Sequence, residues 1–239
     1  MKKLSIIIPA YNEENFIGEL LNKILSVPLD SIGFDKEIIV VDDCSKDKTG
    51  EVVKKFPQVK YLRQEINQGK GAAVQRGVSA STGEWFLVQD ADLEYDPQDY
   101  IPMLKELLKD ENRSLAIYGS RTLGQKQSRG HSKHPEQKWG PFIAGQILSF
   151  WTFFLYGRWI TDTLTAYKVY PNLLVKGFVV KTKGFETDHE LTAKLIRNGV
   201  HIKEVPIKYC PRTVEEGKKI KAWDFFVAIW TLLRFRFDS

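Results

Sequence analysis

Short apolar-rich runs alternate with segments of helical periodicity along the first half of this chain, and that alternation constrains the fold more than any other feature. Leu4 to Ile8, Glu37 to Val41, the weaker Val59 to Leu62, Trp85 to Val88 and Leu115 to Tyr118 read as strands. They are short, bounded by turn residues and rich in β-branched side chains. Between them, Asn12 is placed to cap a helix whose Phe16, Ile17, Leu20, Leu21, Ile24 and Leu25 form one apolar stripe. Asp47 is placed to cap a short helix through Val52 and Val53, and Gly69 to Ala80 reads as a small-residue helix. Asp96-Pro97 opens a further helix carrying Met103, Leu104, Leu107 and Leu108, with proline at the first helical position. This order predicts an α/β fold with a mostly parallel sheet flanked by helices.

In such a sheet, ligands bind beyond the carboxyl ends of the strands. The polar clusters of the sequence fall there: Pro9-Ala10-Tyr11-Asn12-Glu13, Asp42-Asp43-Cys44-Ser45, and Gln89-Asp90-Ala91-Asp92-Leu93-Glu94. The last follows Trp85-Phe86-Leu87-Val88 directly, so a buried strand runs into two carboxylates one residue apart. That arrangement suits a hard divalent cation, Mg²⁺ or Mn²⁺, bridging protein oxygens to phosphate oxygens. Alone, such a pair reads equally well as a solvated turn capping the next helix. Polar groups delivered to one edge by separate strands favour a site.

The second half has a different texture. Thr122 to Lys138 is polar, basic and glycine-containing and reads as a mobile loop. Pro141 to Tyr156 and Trp223 to Phe237 are aromatic and apolar, with Arg234 and Arg236 near the end of the second. Both are shorter than the about twenty residues that a bilayer span needs. They suit core helices or helices lying in the membrane interface. With 239 residues, 43% of them hydrophobic and 27% charged, the chain can bury a core without covalent staples. Cys44 and Cys210 form no disulfide framework or zinc spacing, which points to a reducing compartment. The apolar run near Met1 is too short for the core of a signal peptide. The formal charge is +5, with bases gathered late: Arg121, Lys126, Arg129, Lys133 and Lys138, then Arg212, Lys218, Lys219 and Lys221. No nucleic-acid signature accompanies them, so phosphates or an anionic membrane are the expected counterparts.

Ser5-Ile6-Ile7-Ile8-Pro9-Ala10-Tyr11-Asn12-Glu13-Glu14 resembles the opening motif of family 2 glycosyltransferases. Val41 to Asp47, Asn67-Gln68-Gly69-Lys70-Gly71, the Asp90/Asp92 pair and Gly119-Ser120-Arg121 follow in that family's order. The likeness is to the dolichol-phosphate mannose synthase branch, which transfers sugars to polyprenyl phosphates. It extends through Thr161-Asp162-Thr163-Leu164-Thr165-Ala166-Tyr167-Lys168, Gly184-Phe185-Glu186, Glu204-Val205-Pro206-Ile207 and Arg212 to Lys219. The resemblance implies a GT-A nucleotide-diphospho-sugar transferase fold. Residues 1–121 would form its nucleotide-sugar-binding half. Residues 122–239 would form the acceptor-binding and membrane-interface half, with C-terminal acceptor or interfacial helices.

By the same resemblance, Pro9, Tyr11 and Glu13 line the nucleotide pocket, Asp43 bonds the base, and Gln68 and Lys70 are further donor contacts. Asp90 and Asp92 flank the metal and the diphosphate, and Arg121 and Arg212 bind phosphate; Glu94 departs from the Gln that the family often has there but would still offer an oxygen. The implied reaction is inverting transfer of a hexose from GDP-mannose or UDP-glucose to a polyprenyl or dolichyl phosphate. It would take place at the cytoplasmic membrane face on a peripheral protein, with a homo-oligomer left open. A phosphate acceptor is already anionic and needs no strong base, whereas a hydroxyl acceptor needs one within hydrogen-bond reach. Asp188 is the natural candidate for that base and Asp162 the second. His131, His134 and His201 read as solvent-facing. Leu164, Ala166 and the Asp188-His189 pair depart from the branch around the presumed acceptor site, which leaves acceptor identity open. Transfer to a glycan or protein hydroxyl, and nucleotide-sugar binding without turnover, are the alternatives.

Overall fold

The computed structural model describes residues 1–109, 115–128, 139–211 and 223–238. The strands are β1 (Lys2–Ala10), β2 (Phe34–Asp42), β3 (Val59–Arg63), β4 (Trp85–Val88), β5 (Leu115–Ser120), β6 (Lys168–Pro171) and β7 (His201–Pro206). The α-helices are α1 (Ile17–Ser26), α2 (Thr49–Val53), α3 (Lys70–Ala80), α4 (Tyr100–Leu108), α5 (Arg121–Ser128), α6 (Trp139–Tyr156), α7 (Asn172–Lys176), α8 (Thr187–Arg197) and α9 (Trp223–Phe237). The strands form one sheet in the order β3-β2-β1-β4-β6-β5-β7. Every neighbouring pair is parallel except those made by β6, which runs antiparallel to both β4 and β5.

Helices cover both faces of the sheet. Ile6, Ile8, Val40 and Leu87 pack with Leu20, Leu21, Ile24 and Met103 in one cluster. Ile7, Phe86, Val88 and Tyr170 pack with Val74, Val78, Leu191 and Leu195 in another. Because both faces are covered, the central strands are continuously apolar rather than alternating. β1 is central and pairs with β2 on one side and β4 on the other, in registers aligning Ala10 with Asp42 and Ile7 with Val88.

The strands expected from sequence are all present, and β4 has the expected ends. The local details differ in three places. Asn12 does not cap α1, which starts at Ile17 with no side-chain cap. Asn12 instead takes a positive φ of 54° and spends its Oδ1 accepting from the Lys46 backbone N–H at 2.8 Å. Asp47 does not cap α2, whose cap position falls on Lys48 with no side-chain cap; its carboxylate instead closes the turn before the helix, accepting from the Thr49 N–H and hydroxyl at 3.0 and 2.6 Å. The segment read as a mobile loop begins as helix α5, and the rest of it, residues 129–138, lies outside the described residues. α6 and α9 pack on one another through Leu148, Ala228 and Leu232. No helix among the described residues is long and apolar enough to cross a membrane.

Candidate active site

The carboxyl ends of β1, β2, β4 and β5 lie along one edge of the sheet. Antiparallel β6 explains what joins them there. A strand running the other way presents its start, not its end, at that edge, so Thr161 to Lys168 arrive beside Asp90 and Arg121. The β1 and β2 loops clasp each other. The Asn12 N–H donates to Ser45 Oγ at 3.0 Å, and the Glu13 N–H donates to Thr49 Oγ1 at 2.9 Å. Glu13 is buried at that junction.

Asp43 is 3% exposed and organises the next loop. Its carboxylate accepts from Gln64 Nε2 at 2.6 Å, from the Gln68 N–H at 2.8 Å and from the Gly69 N–H at 2.7 Å. In the structure Asp43 is therefore the fastener of the turn that presents Lys70. Gly69, at φ 95°, takes a conformation that only glycine adopts without strain. Gly69 and Gly71 both press against the Lys183–Thr187 backbone, where any Cβ would collide. The absent side chains let α3 meet the start of α8.

Lys70, at the first position of α3, ion-pairs with Asp90 at 2.5 Å and lies 5.5 Å over the Phe185 ring. Burial disfavours its charge, but Asp90 and Asp188 outweigh that and hold its pKa above the ordinary lysine value. Lys70 thus links the Asp43 loop, the Asp90/Asp92 pair and the first turn of α8. The acidic turn is braced from beneath. Tyr100 and Tyr167 both donate to Gln89 Oε1, at 2.6 and 2.5 Å, and Gln89 Nε2 donates to the Asp90 carbonyl at 2.9 Å. Asp92 Oδ1 accepts from the Glu94 N–H at 3.2 Å.

Glu94 is turned toward Tyr209, whose hydroxyl donates to Oε2 at 2.7 Å. Among the described residues, no group of three or more His, Cys, Asp or Glu side chains stands together as a metal cage. The three-carboxylate set Asp90, Asp92 and Glu94 is thus not preassembled. Two neighbouring carboxylates still fit Mg²⁺ or Mn²⁺ chemistry. Such ions are commonly held by one or two protein carboxylates, with substrate phosphates supplying further oxygens.

Arg121 is committed to Asp162. Its Nε and Nη2 meet the two carboxylate oxygens at 2.7 and 2.8 Å, its backbone N–H adds a third bond at 3.0 Å, and its guanidinium stacks 4.9 Å over Tyr209. Asp162 is therefore a clamp for Arg121, and its candidacy as a base is reduced accordingly. Glu204 holds the loop from below, accepting from the Thr161 N–H, the Thr161 hydroxyl and the Asp162 N–H. Asp188 stands in the first turn of α8 with Tyr170 Oη at 3.5 Å from Oδ1. Lys168 is fully buried, with its ammonium on the Thr163 carbonyl at 3.1 Å and 5.1 Å over the Tyr118 ring. Burial lowers its pKa, partly offset by Asp188 and Asp162. Burial and that ammonium push His189 down to about 3, so His189 is neutral near pH 7.

Pro9, Tyr11 and Gln68 sit on this edge as expected, while Arg212, His131 and His134 lie outside the described residues; His201 is exposed, as read. Sequence reading quoted Gln89, Lys168 and Glu204 within motifs without giving them a role, and did not name Tyr95 or Tyr209. Tyr95 stacks on Tyr167 at 4.6 Å and bridges to Tyr209. Recesses lined by Met1, Val27 and Phe34 and by Val74, Val175 and Leu191 lie away from these residues.

A sheet of this order, with acids and cations gathered at its parallel edge, is the architecture of a GT-A-like glycosyltransferase. The chain belongs to glycosyl transferase family 2, whose family model matches residues 5–163. A dolichyl-phosphate beta-glucosyltransferase of Trichomonas vaginalis is 40% identical over 137 residues, covering 53% of this chain and 42% of that protein. A dolichol-phosphate mannosyltransferase of Pyrococcus furiosus is 41% identical over 123 residues, covering 50% and 33% respectively. The chain thus spans less than half the length of these curated relatives. The crystal structure of glucosyl-3-phosphoglycerate synthase from Mycobacterium tuberculosis with Mn²⁺, UDP and phosphoglyceric acid shares the fold. Its TM-score is 0.70 at 19% identity, covering 100% of this chain and 80% of that one.

Proposed function

We propose that this protein is a metal-dependent, inverting glycosyltransferase that moves a hexose, glucose or mannose, from a nucleoside-diphosphate sugar to a polyprenyl phosphate at a membrane surface. The observation that carries the reading is the contact chain Asp43–Gly69–Lys70–Asp90, which ties separate strand ends to one ammonium and one acidic pair. The names of the relatives, dolichyl-phosphate glucosyltransferase and dolichol-phosphate mannosyltransferase, support the acceptor class. The exposed aromatic sides of α6 and α9 fit an acceptor that resides in lipid.

In this reading Asp90 and Asp92 hold the Mg²⁺ or Mn²⁺, which when bound supplies charge neutralisation for the departing diphosphate. Pro9, Tyr11, Glu13 and Asp43 seat the nucleoside. Lys70 and Gln68 receive the diphosphate, with Arg121 and Arg212 adding positive potential. The acceptor phosphate oxygen attacks the anomeric carbon as the bond to the nucleoside diphosphate breaks, which inverts that carbon. No proton need be removed from an ionised phosphate, so the demand on the protein is positional and electrostatic. A hydroxyl acceptor is the second reading, favoured by the place of Asp188 beside Lys70.

The test is incubation of the protein with UDP-glucose or GDP-mannose, Mn²⁺ and polyprenyl phosphate. The expected product is a lipid-linked hexose, absent with Asp92→Ala. Formation of soluble glycan with no lipid product rejects the acceptor assignment. Asp188→Asn separates the two readings: a loss in kcat of at least a hundredfold points to a hydroxyl acceptor needing a base, and a small effect points to the phosphate.

A further inference from the structure

Lys70 and Arg121 at the candidate site already have carboxylate partners, and the two pairs differ in how firmly they are held. Arg121 and Asp162 share two side-chain bonds, a backbone bond and an aromatic stack, and the Asp162 side chain is only 6% exposed. Lys70 and Asp90 share one ion contact, between side chains 16% and 25% exposed. A planar guanidinium spread over two oxygens is hard to redirect, whereas an ammonium on a four-carbon stem turns easily. The root of that stem is fixed, because Gly69 is tied to Asp43 and the turn is pressed against Lys183 to Thr187. Swinging Lys70 therefore gives up its contacts with Asp90 and Phe185 but needs no backbone movement.

The ammonium contacts Asp90 Oδ1, an oxygen that a divalent cation on the Asp90/Asp92 pair would use, and a metal ion and an ammonium repel each other there. Asp188, in the first turn of α8, also favours the charged ammonium, so removing the lysine charge would leave two carboxylates without it. A nucleoside diphosphate changes the balance by offering Lys70 phosphate oxygens in exchange for Asp90.

We propose that Lys70 is a resident placeholder for the metal: it keeps Asp90 in position and releases it to the divalent cation only when a diphosphate gives it new oxygens. Metal and nucleotide then bind with positive coupling, and by reciprocity each raises the other's affinity by the same factor. Lys70 is in this sense a positioning residue whose effect is on binding order, beyond contact with the donor. The inference rests on the metal–nucleotide reading above.

The test reads Mn²⁺ binding by the loss of its free electron paramagnetic resonance signal, with no turnover required. Wild-type protein is expected to bind Mn²⁺ weakly alone. UDP or GDP affinity, measured by calorimetry, is expected to rise at least tenfold at saturating Mn²⁺. Lys70→Met, and independently Lys70→Gln, should bind Mn²⁺ alone at least tenfold more tightly than wild type. In both variants nucleotide affinity should be weaker and should rise less with Mn²⁺ than in wild type, because only the direct metal–phosphate contribution to the coupling remains. Equal Mn²⁺ affinity in wild type and both variants, abolished by Asp92→Asn, overturns the placeholder role while leaving the metal site intact. Wild-type nucleotide affinity that is indifferent to Mn²⁺ also overturns it, without recourse to any variant. Absence of protein-bound Mn²⁺ in every form, with and without nucleotide, removes the metal reading itself.

Discussion

Gly71 leaves no room for a methyl group. A Cβ there would overlap the Thr187 hydroxyl and fall 2.7 Å from the Lys183 carbonyl carbon and 2.8 Å from the Gly184 oxygen. The hydroxyl could turn aside, but the backbone could not. Gly71→Ala should therefore cost about 1–3 kcal/mol of stability, the usual range for overpacking. It should also weaken nucleotide binding by parting α3 from α8, which sets Lys70 against Asp188. Thermal unfolding with and without UDP or GDP checks both parts, and an unchanged midpoint would show the seam to be loose. Side chains at this scale were only partly legible. Asp90 and Asp92 could be named because they follow a strand end, whereas Asp43 and Lys70 took their roles from motifs that resemble the family's. Lys168, Glu204, Tyr95 and Tyr209 could not be given roles, because their work is done across contacts between distant segments: Glu204 supports Thr161, and Tyr209 supports Glu94. A sequence displays a carboxylate but not the partner that commits it, as Arg121 commits Asp162.

Among the elements, α6 and α9 carry two apolar stripes each. Inward, Leu148 meets Ala228 and Leu232. Outward, Ile143, Ile147, Phe150 and Phe154 recur at helical spacing on α6, and Trp223, Phe226, Trp230 and Phe237 on α9, each at least 46% exposed. Arg234 and Arg236 lie at the end of α9. An aromatic face edged with arginine suits the interface of an anionic bilayer. Burying an aromatic side chain is worth about 2 kcal/mol. Phe154→Glu combined with Trp230→Glu should therefore reduce flotation with phosphatidylglycerol vesicles at least tenfold, while nucleotide affinity stays unchanged. Undiminished flotation would place the membrane contact elsewhere. That these segments are helices was visible from their composition, and so were β1 to β5, whose buried stretches are largely apolar, whereas β7, His201–Pro206, mixes charged and apolar residues and was not read as a strand. β6 was not visible: Lys168-Val169-Tyr170-Pro171 is four residues long, begins with a charge and ends with proline. Its antiparallel direction comes from pairing with β4 and β5 rather than from any local preference. α5 was hidden for the opposite reason. It is polar, and its place depends on Gly124 lying against the Ile207 backbone.

For the whole molecule, stability against acid is a balance of carboxylates shifted in opposite directions. Burial works against ionisation of Glu37, Asp47 and Glu190, but their hydrogen bonds outweigh it and all lie below their ordinary values. For Glu190 those bonds come from Lys194, Thr182 and Lys181. Groups of this kind contribute stability above their unfolded pKa and lose it as pH falls through the folded one. Asp99 runs the other way. Burial raises it to about 6, with Asp96 adding to the rise and the Lys208 N–H, at 2.7 Å, opposing it. The folded chain therefore holds the Asp99 proton more tightly than the unfolded chain. That contribution is fully present below about pH 4 and is lost as pH rises to about 6. Between pH 6 and 4, protonation of Asp99 offsets part of the acid loss from the other carboxylates. Asp99→Asn keeps an oxygen for the Lys208 N–H but cannot ionise. The variant should unfold at higher urea than wild type at pH 7.5, converge with it near pH 4, and show the steeper decline between. Parallel urea midpoints for the two proteins across that range would mean that Asp99 is ionised in the folded state at little cost, and that the acid sensitivity of the fold lies with the hydrogen-bonded carboxylates alone.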